Sequence, residues 1–234
     1  MSWLFPKAHK PPPEPPLPGK NWPPPFLGLR SAGPNRALGM ETPETATTLV
    51  NLAAVRQAEG DLDAAGQLLS QAQAIREKIL GPEHPETAQS LTNLAQVLQA
   101  QGDLDAATPL FNRALHIREK VWGAEHPDTL ASLNNLAFVI SARGQLSEAE
   151  PLFRRALTAS ETLFGPEHPG TATAMTNLAN ALVAKGDLAA AEPLFRRALD
   201  IRRKVLGSKD SQTASSAANL ARLTNRQMAA ADAR

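Results

Sequence analysis

The chain of 234 residues has no cysteine and no tyrosine, and only 4% of its residues are aromatic. Without cysteine there is no disulfide framework, thiolate zinc site, iron–sulfur cluster or cysteine nucleophile, and the reducing cytoplasm is the expected compartment. No apolar run approaches the ~20 residues needed to span a bilayer. The opening MSWLFPKAHK places only Trp3, Leu4 and Phe5 before a proline, short of the ~7–15-residue apolar stretch of a secretion signal. No lipid-anchor motif or amphipathic surface segment stands out, so no membrane partner is expected.

Charge of one sign is scarce as well, with 24 Lys+Arg against 23 Asp+Glu. Residues 1–38 hold Lys7, Lys10, Lys20, Arg30 and Arg36 against Glu14 alone, a balance of +4 that leaves −3 for the rest. Neither value makes the clustered basic surface that displaces counterions from nucleic acid, and few rings are available to stack on bases. Nucleic acid is therefore not an expected partner. Nucleophile elbows, phosphate-binding loops, HExxH and paired catalytic acids are absent too, so the chain reads as non-catalytic and without a cofactor.

What the sequence has is a period. GPEHPET at Gly81, GAEHPDT at Gly123 and GPEHPGT at Gly165 recur every 42 residues, with weaker copies GMETPET at Gly39 and GSKDSQT at Gly207. The columns stay in phase through Asn51, Asn93, Asn135, Asn177 and Asn219, and through Ala53, Ala95, Ala137, Ala179 and Ala221. A fixed period of this length means stacked units, each able to bury its apolar face only against its neighbours. The expected division is a disordered proline-rich tail over 1–38, repeats over 39–80, 81–122, 123–164 and 165–206, and a partial repeat with a C-terminal capping helix and tail over 207–234.

Each unit reads as two antiparallel helices. In the second, Leu91, Leu94, Ala95 and Leu98 fall at i, i+3, i+4 and i+7, an amphipathic stripe beginning near Thr87 and stopped by Gly102. Asp103 is placed to cap a second helix through Leu104, Ala107, Leu110, Phe111, Ala114, Leu115 and Trp122, closed by Gly123. Pro109, Pro151 and Pro193 each remove one backbone donor inside such a helix, and a recurring bend is expected there.

At these columns the chain resembles the tetratricopeptide repeat, in particular the 42-residue variety of the kinesin light chains. The resemblance rests on NLAQVLQAQGDLDAATPLFNRAL, NLAFVISARGQLSEAEPLFRRAL and NLANALVAKGDLAAAEPLFRRAL, and on the joints GPEHPET and GAEHPDT. It covers about residues 39–228 and implies an all-α, right-handed superhelical solenoid of antiparallel helix pairs. In it the first helix of each pair lines a concave groove and the second forms the convex back. A helical wheel separately sets Gln89, Thr92, Asn93, Gln96 and Ala100 opposite the core stripe. Their counterparts are Ala131, Asn134, Asn135, Phe138 and Ala142, then Thr173, Thr176, Asn177, Asn180 and Ala184.

Almost none of these is charged. Side-chain amides offer both a donor and an acceptor, as the backbone of an extended peptide requires, and in related repeats an asparagine of this column contacts bound peptide. Asn93, Gln96, Asn134, Asn135, Phe138, Thr176, Asn177 and Asn180 are the candidate peptide-binding residues, with Phe138 the one large apolar contact in mid-groove. The competing reading is that the amides brace neighbouring helices.

His84, His126 and His168 recur at the joints, about 10 Å apart along the stack for helices at normal packing distance. Metal ligands must converge within about 2.1 Å of one ion, so these read as turn residues and no metal site is expected. Arg154, Arg155, Arg196, Arg197, Arg202, Arg203 and Lys204 make the second helices basic late in the chain. That is a solvated face or a docking patch for an acidic partner.

Eleven of the twenty prolines lie in residues 1–38, where Pro15, Pro18 and Lys20 match the PxxPxK spacing of polyproline ligands. A plain extended linker is the other reading. Trp3, Leu4 and Phe5, or Trp22 and Phe26, are candidates to lie across the groove. The kinesin light chains carry a similar leucine-phenylalanine-proline segment, followed there by acids and here by Lys7. Arg56 replaces the apolar residue seen at Leu98, Ile140 and Leu182, so the first repeat is expected to be the loosest.

Two functions remain. One is a cytoplasmic interaction module that binds a peptide segment of a protein partner in the groove. The alternative is a scaffold or self-associating unit that uses its end faces or basic convex surface.

Overall fold

In a computed structural model of the chain, residues 41–232 are described. The proline-rich segment, its PxxPxK spacing and its Trp3 and Trp22 clusters lie outside the described residues, as do the last two positions. Nine helices and no strand make up the described residues: α1 (Pro43–Ala58), α2 (Leu62–Leu80), α3 (Pro85–Gln101), α4 (Leu104–Trp122), α5 (Pro127–Ala142), α6 (Leu146–Phe164), α7 (Pro169–Lys185), α8 (Leu188–Leu206) and α9 (Ser211–Asp232). Each helix packs on those before and after it in the chain. Short turns separate them, which fixes consecutive helices as antiparallel neighbours.

Local chemistry sets the ends. Pro43, Pro85, Pro127 and Pro169 occupy the first helical position, where a missing N–H costs nothing. Just before three of them, the N–H groups of Glu86, Asp128 and Gly170 donate to Nδ1 of His84, His126 and His168 at 3.1, 3.2 and 3.0 Å. The histidines are therefore N-caps, and α3 begins two residues ahead of the start expected at Thr87. Trp122 and Phe164, ending the preceding helices, stack on the rings of His126 and His168 at 4.4 and 5.0 Å between centroids.

Second helices are capped differently. Asp61, Asp103 and Asp187 accept from the N–H of Ala64, Ala106 and Ala190, each at 3.0 Å. Gln145 replaces this aspartate ahead of α6 and makes no side-chain cap bond. Gly102 (φ +86°) and Gly186 (φ +93°) close α3 and α7 in the left-handed region that a side chain would strain. Pro109, Pro151 and Pro193 do not divide their helices, each of which continues through 19 residues. The prolines sit on the exposed side, so solvent serves the carbonyl each one leaves unbonded.

Packing follows the columns. Ala53, Ala95, Ala137 and Ala179 on first helices, and Ala65, Ala107, Ala149 and Ala191 on second helices, are fully buried. These small residues bring the axes together, and Phe111, Phe153 and Phe195 fill the space between pairs. Burying one such ring contributes on the order of 1.5–3 kcal/mol. One continuous apolar cluster runs from Ala95 to Leu223, whereas the residues of α1 and α2 belong to smaller ones.

Arginines bridge successive pairs. Arg76 of α2 donates to Ser90 of α3 at 2.9 Å. Arg118 of α4, 4% exposed, donates to Ser132 of α5 at 2.6 Å and turns back to Thr92 and Gln89 of α3 at 3.2 and 2.8 Å. Arg202 of α8, 6% exposed, repeats this with Ser216 of α9 and with Thr173 and Thr176 of α7. Arg202 is thus buried between helices and does not belong to the solvated basic face to which the sequence assigned it. Burial pulls the Arg118 guanidinium below its ordinary range while Asp128 opposes the shift; arginine keeps its charge in proteins. The third joint has Ser160 and Ala174 in these columns and no arginine.

The first pair is packed least completely. Leu52 (41% exposed) and Val55 (52%) are open where Leu136, Leu178, Val97 and Val139 are buried. Arg56 is also exposed, bonded to Glu59 at 2.9 Å. The amides of α1 and α2 therefore exchange fastest among the four pairs, and hydrogen exchange showing uniform protection would contradict this. Replacing Arg118 by Ala strands the Ser132, Thr92 and Gln89 partners and destabilises the chain by about 1–3 kcal/mol, measurable by urea unfolding.

Glu77 accepts from Arg113 at 2.6 Å, and Glu150 from Lys185 at 2.7 Å and Arg154 at 2.8 Å. These bonds hold both carboxyls below the ordinary glutamate range, Glu77 chiefly through Arg113 and Glu150 chiefly through Lys185. A depressed folded-state pKa stabilises above the unfolded value and is lost as pH falls through the folded one. The thermal midpoint should fall as the pH is lowered from the ordinary carboxylate range through these depressed values, and less steeply in Glu150→Gln.

Candidate functional site

The first helices α1, α3, α5, α7 and α9 carry the same columns at intervals of 42 residues. Asn177 of α7 donates to Asn134 Oδ1 of α5 at 3.2 Å, a direct bond between neighbouring first helices. Asn134 also donates to its own helix at Leu130 O, at 3.0 Å. These two candidates are brought together, and part of their hydrogen-bonding capacity is spent as a brace.

The other amides differ. Asn93 accepts from Gln89 within α3 at 2.8 Å. Asn135, Gln96 and Asn180 make no side-chain hydrogen bond among the described residues, and Gln96 and Asn180 are exposed. Thr176 is turned inward, donating to Ala172 O at 2.8 Å and accepting from Arg202 at 3.4 Å. Thr92 is buried in the corresponding way, bonded to Ala88 O and Arg118.

Phe138 lies in the same column as Gln96, Asn180 and Arg222. It is 45% exposed, with its ring edge-on to the buried Phe153 at 5.2 Å and 78°. One side of the ring thus rests on the core while nearly half of the residue is open to solvent.

The arginine bridges behind this face are absent from the sequence reading. Arg118 and Arg202 sit directly behind it and fix Gln89, Thr92, Thr173 and Thr176. The signal was present as Arg76, Arg118 and Arg202 at multiples of the 42-residue period, matched by Ser90, Ser132 and Ser216. At the far end Asn180 and Asn219 join Val183, Phe195, Leu223, Arg222 and Arg226 around a cavity of about 150 Å³. Arg222 bonds Asn219 there at 3.1 Å, so this end of the asparagine column is cationic.

The second-helix face is less basic than its sequence suggests. Arg154 pairs with Glu150, Arg155 with Glu119, Arg196 with Glu192 and Lys204 with Glu167. With Arg202 buried as well, Arg197 and Arg203 are the members of that run without an ion pair among the described residues. His84, His126 and His168 spend Nδ1 on backbone caps, and no group of three or more potential metal ligands occurs among the described residues. None of the described helices is long and apolar enough to cross a membrane.

The chain matches the Tetratricopeptide repeat family over residues 44–120, 128–204 and 177–234. Among solved structures, it is similar to the kinesin light chain nearly identical TPR-like repeats of Podosopora anserina. Identity is 31%, the TM-score is 0.73, and the match covers 83% of this chain and 92% of that one. A single-residue variant of that protein matches with the same identity and coverage and a TM-score of 0.74. BtubC (BKLC) from P. vanneervenii is 25% identical with a TM-score of 0.69, over 78% of this chain and 73% of that one. No curated relative matches. Repeats of this family generally mediate protein–protein interaction and are typically non-catalytic. From the phase of its repeats, its helix pairs and these matches, the chain belongs to the tetratricopeptide repeat family, in its kinesin-light-chain-like form.

Proposed function

We propose that the face of the first helices binds an extended peptide segment of a protein partner. The observation that carries this reading is the half-exposed Phe138, with Asn135 three residues before it on the same helix and Gln96 and Asn180 in its column on α3 and α7, all three holding unspent amides. An extended peptide alternates donors and acceptors along its backbone, and a primary amide can serve either. Phe138 would take an apolar side chain of the ligand, while the amides fix the register of its backbone. Arg118 and Arg202 hold the helices behind the face, so little ordering cost would fall on binding. The Asn134–Asn177 bond lends the bracing account a share: those two amides would contribute less than Asn135 and Asn180.

One observation favours a scaffold that uses an end face: Leu52 and Val55 are open on α1. The second-helix face gains no such support, since its cations are largely paired.

The test is partner capture by the full chain and by two double variants checked for equal helicity by circular dichroism. In the first, Asn135→Ala and Phe138→Ala empty the groove; in the second, Arg197→Ala and Arg203→Ala alter the second-helix face. Groove binding predicts at least tenfold weaker capture by the first variant, about 1.4 kcal/mol or more, and unchanged capture by the second. The reverse pattern would remove the groove from consideration.

A further inference from the structure

Beside the third pair, away from the asparagine face, one ion pair of the repeat is missing and a cavity stands near its place. In the other three pairs a lysine near the end of the second helix closes onto the glutamate of the joint that opens the same pair. Lys78 meets Glu41, Lys120 meets Glu83, and Lys204 meets Glu167 at 3.3 Å, each across 37 residues of sequence. The third pair keeps the glutamate as Glu125 but has Thr162 in the lysine column, and Glu125 has no ion-pair partner among the described residues.

The space beneath has been emptied as well. Ala159 stands where Ile75, Ile117 and Ile201 fill the same column, and Ala124 where Pro82 and Pro166 do. Together these truncations leave a cavity of about 320 Å³ between α6, the α4–α5 joint and Leu133 of α5, with Glu125 and Thr162 in its wall.

The remaining charges on the rim are already used. Arg154 bonds Glu150 at 2.8 Å, and Arg155 bonds Glu119. Thr158 and Thr162 donate their hydroxyl protons to the backbone at Arg154 O and Thr158 O, which leaves their oxygens as acceptors. The wall thus combines an apolar floor, two hydroxyl acceptors and one unspent carboxylate. The repeat itself shows what such a wall holds. In the fourth pair Lys204 reaches Glu167 although Arg196 and Arg197 occupy the columns of Arg154 and Arg155, so neighbouring guanidinium groups do not exclude an ammonium there.

We propose that this cavity is a socket for a lysine side chain of a protein partner. The aliphatic stem would lie on Leu133 and Ala159 in the space vacated by isoleucine, and the ammonium would meet Glu125 as Lys120 meets Glu83. Stem burial and one charge-assisted bond each contribute modestly, so the socket sets register within a larger contact. It does not depend on groove binding, and either can fail without the other.

The experiment is an amide NMR titration of the full chain with Nα-acetyl-lysine N-methylamide, run beside Nα-acetyl-norleucine N-methylamide, which keeps the stem and lacks the ammonium. Expected are saturable shifts at Ala124, Glu125, Thr158, Ala159 and Thr162 at millimolar lysine probe. Affinity should be at least fivefold weaker for norleucine and for the exposed substitution Glu125→Gln. In Thr162→Lys, which restores the internal ammonium, the shifts should disappear. Absence of saturable shifts at these residues, equal binding of norleucine, or unchanged binding in Glu125→Gln would overturn the proposal.

Discussion

No helix pair in this chain can bury its own apolar surface, and the contact that solves the problem is the approach of small residues between neighbouring helices. Ala95 and Ala107 within one pair, and Ala137 and Ala149 in the next, are fully buried because the helix axes run close enough to leave them no solvent. Only at that separation can Phe111, Phe153 and Phe195 fill the space between pairs, where the large cost of voids makes the fit specific. The register of the solenoid follows, and with it the alignment of every surface column. A larger residue at any of these alanines would displace the next pair as well as its own.

Apolar contact is weak at fixing rotation about a helix axis, and the polar bonds between pairs supply that. Arg118 reaches forward to Ser132 and backward to Gln89 and Thr92, so three helices are tied through one guanidinium. Its planar fork serves several acceptors at once, which a lysine ammonium of comparable reach does less rigidly. Because the acceptors belong to first helices, the bridge also orients the columns next to it. The asparagine face and the core are in this sense one construction, with the arginine as the connection between them.

Repetition explains how much could be read beforehand. A column that recurs in phase five times, as the asparagines do, reveals the unit and its helices, and the aspartate caps at Asp61, Asp103 and Asp187 follow from turn chemistry. The histidine caps did not, since an imidazole at a joint suggests metal chemistry or a turn before it suggests an acceptor for a backbone N–H. Arg202 was misplaced because in a run such as DIRRKVL neighbouring cations look alike, and only the packing angle of α8 separates the buried Arg202 from the exposed Arg203. Of the candidate site, the columns were legible. Which amides remain unspent was not, because it depends on distances between helices, as Asn177 and Asn134 show.

A repeat fold built this way constrains most columns and leaves a few free, so individuality lies where one unit departs from the others. Phe138 departs from the amides Gln96 and Asn180 of its column, Arg222 brings a cation to the end of the same column, and Ala159 and Thr162 depart from isoleucine and lysine. None of these changes disturbs the alanine contacts or the arginine bridges on which the stack depends. Each instead leaves something open: an aromatic face, a cationic cavity wall, an unpaired carboxylate over an emptied space. Departures that cost packing, as Ala159 does relative to isoleucine, forgo stabilisation that neighbouring units retain. In a fold where the stabilising solution is already present three times over, such a loss is the more informative departure, and it directs attention to the third pair.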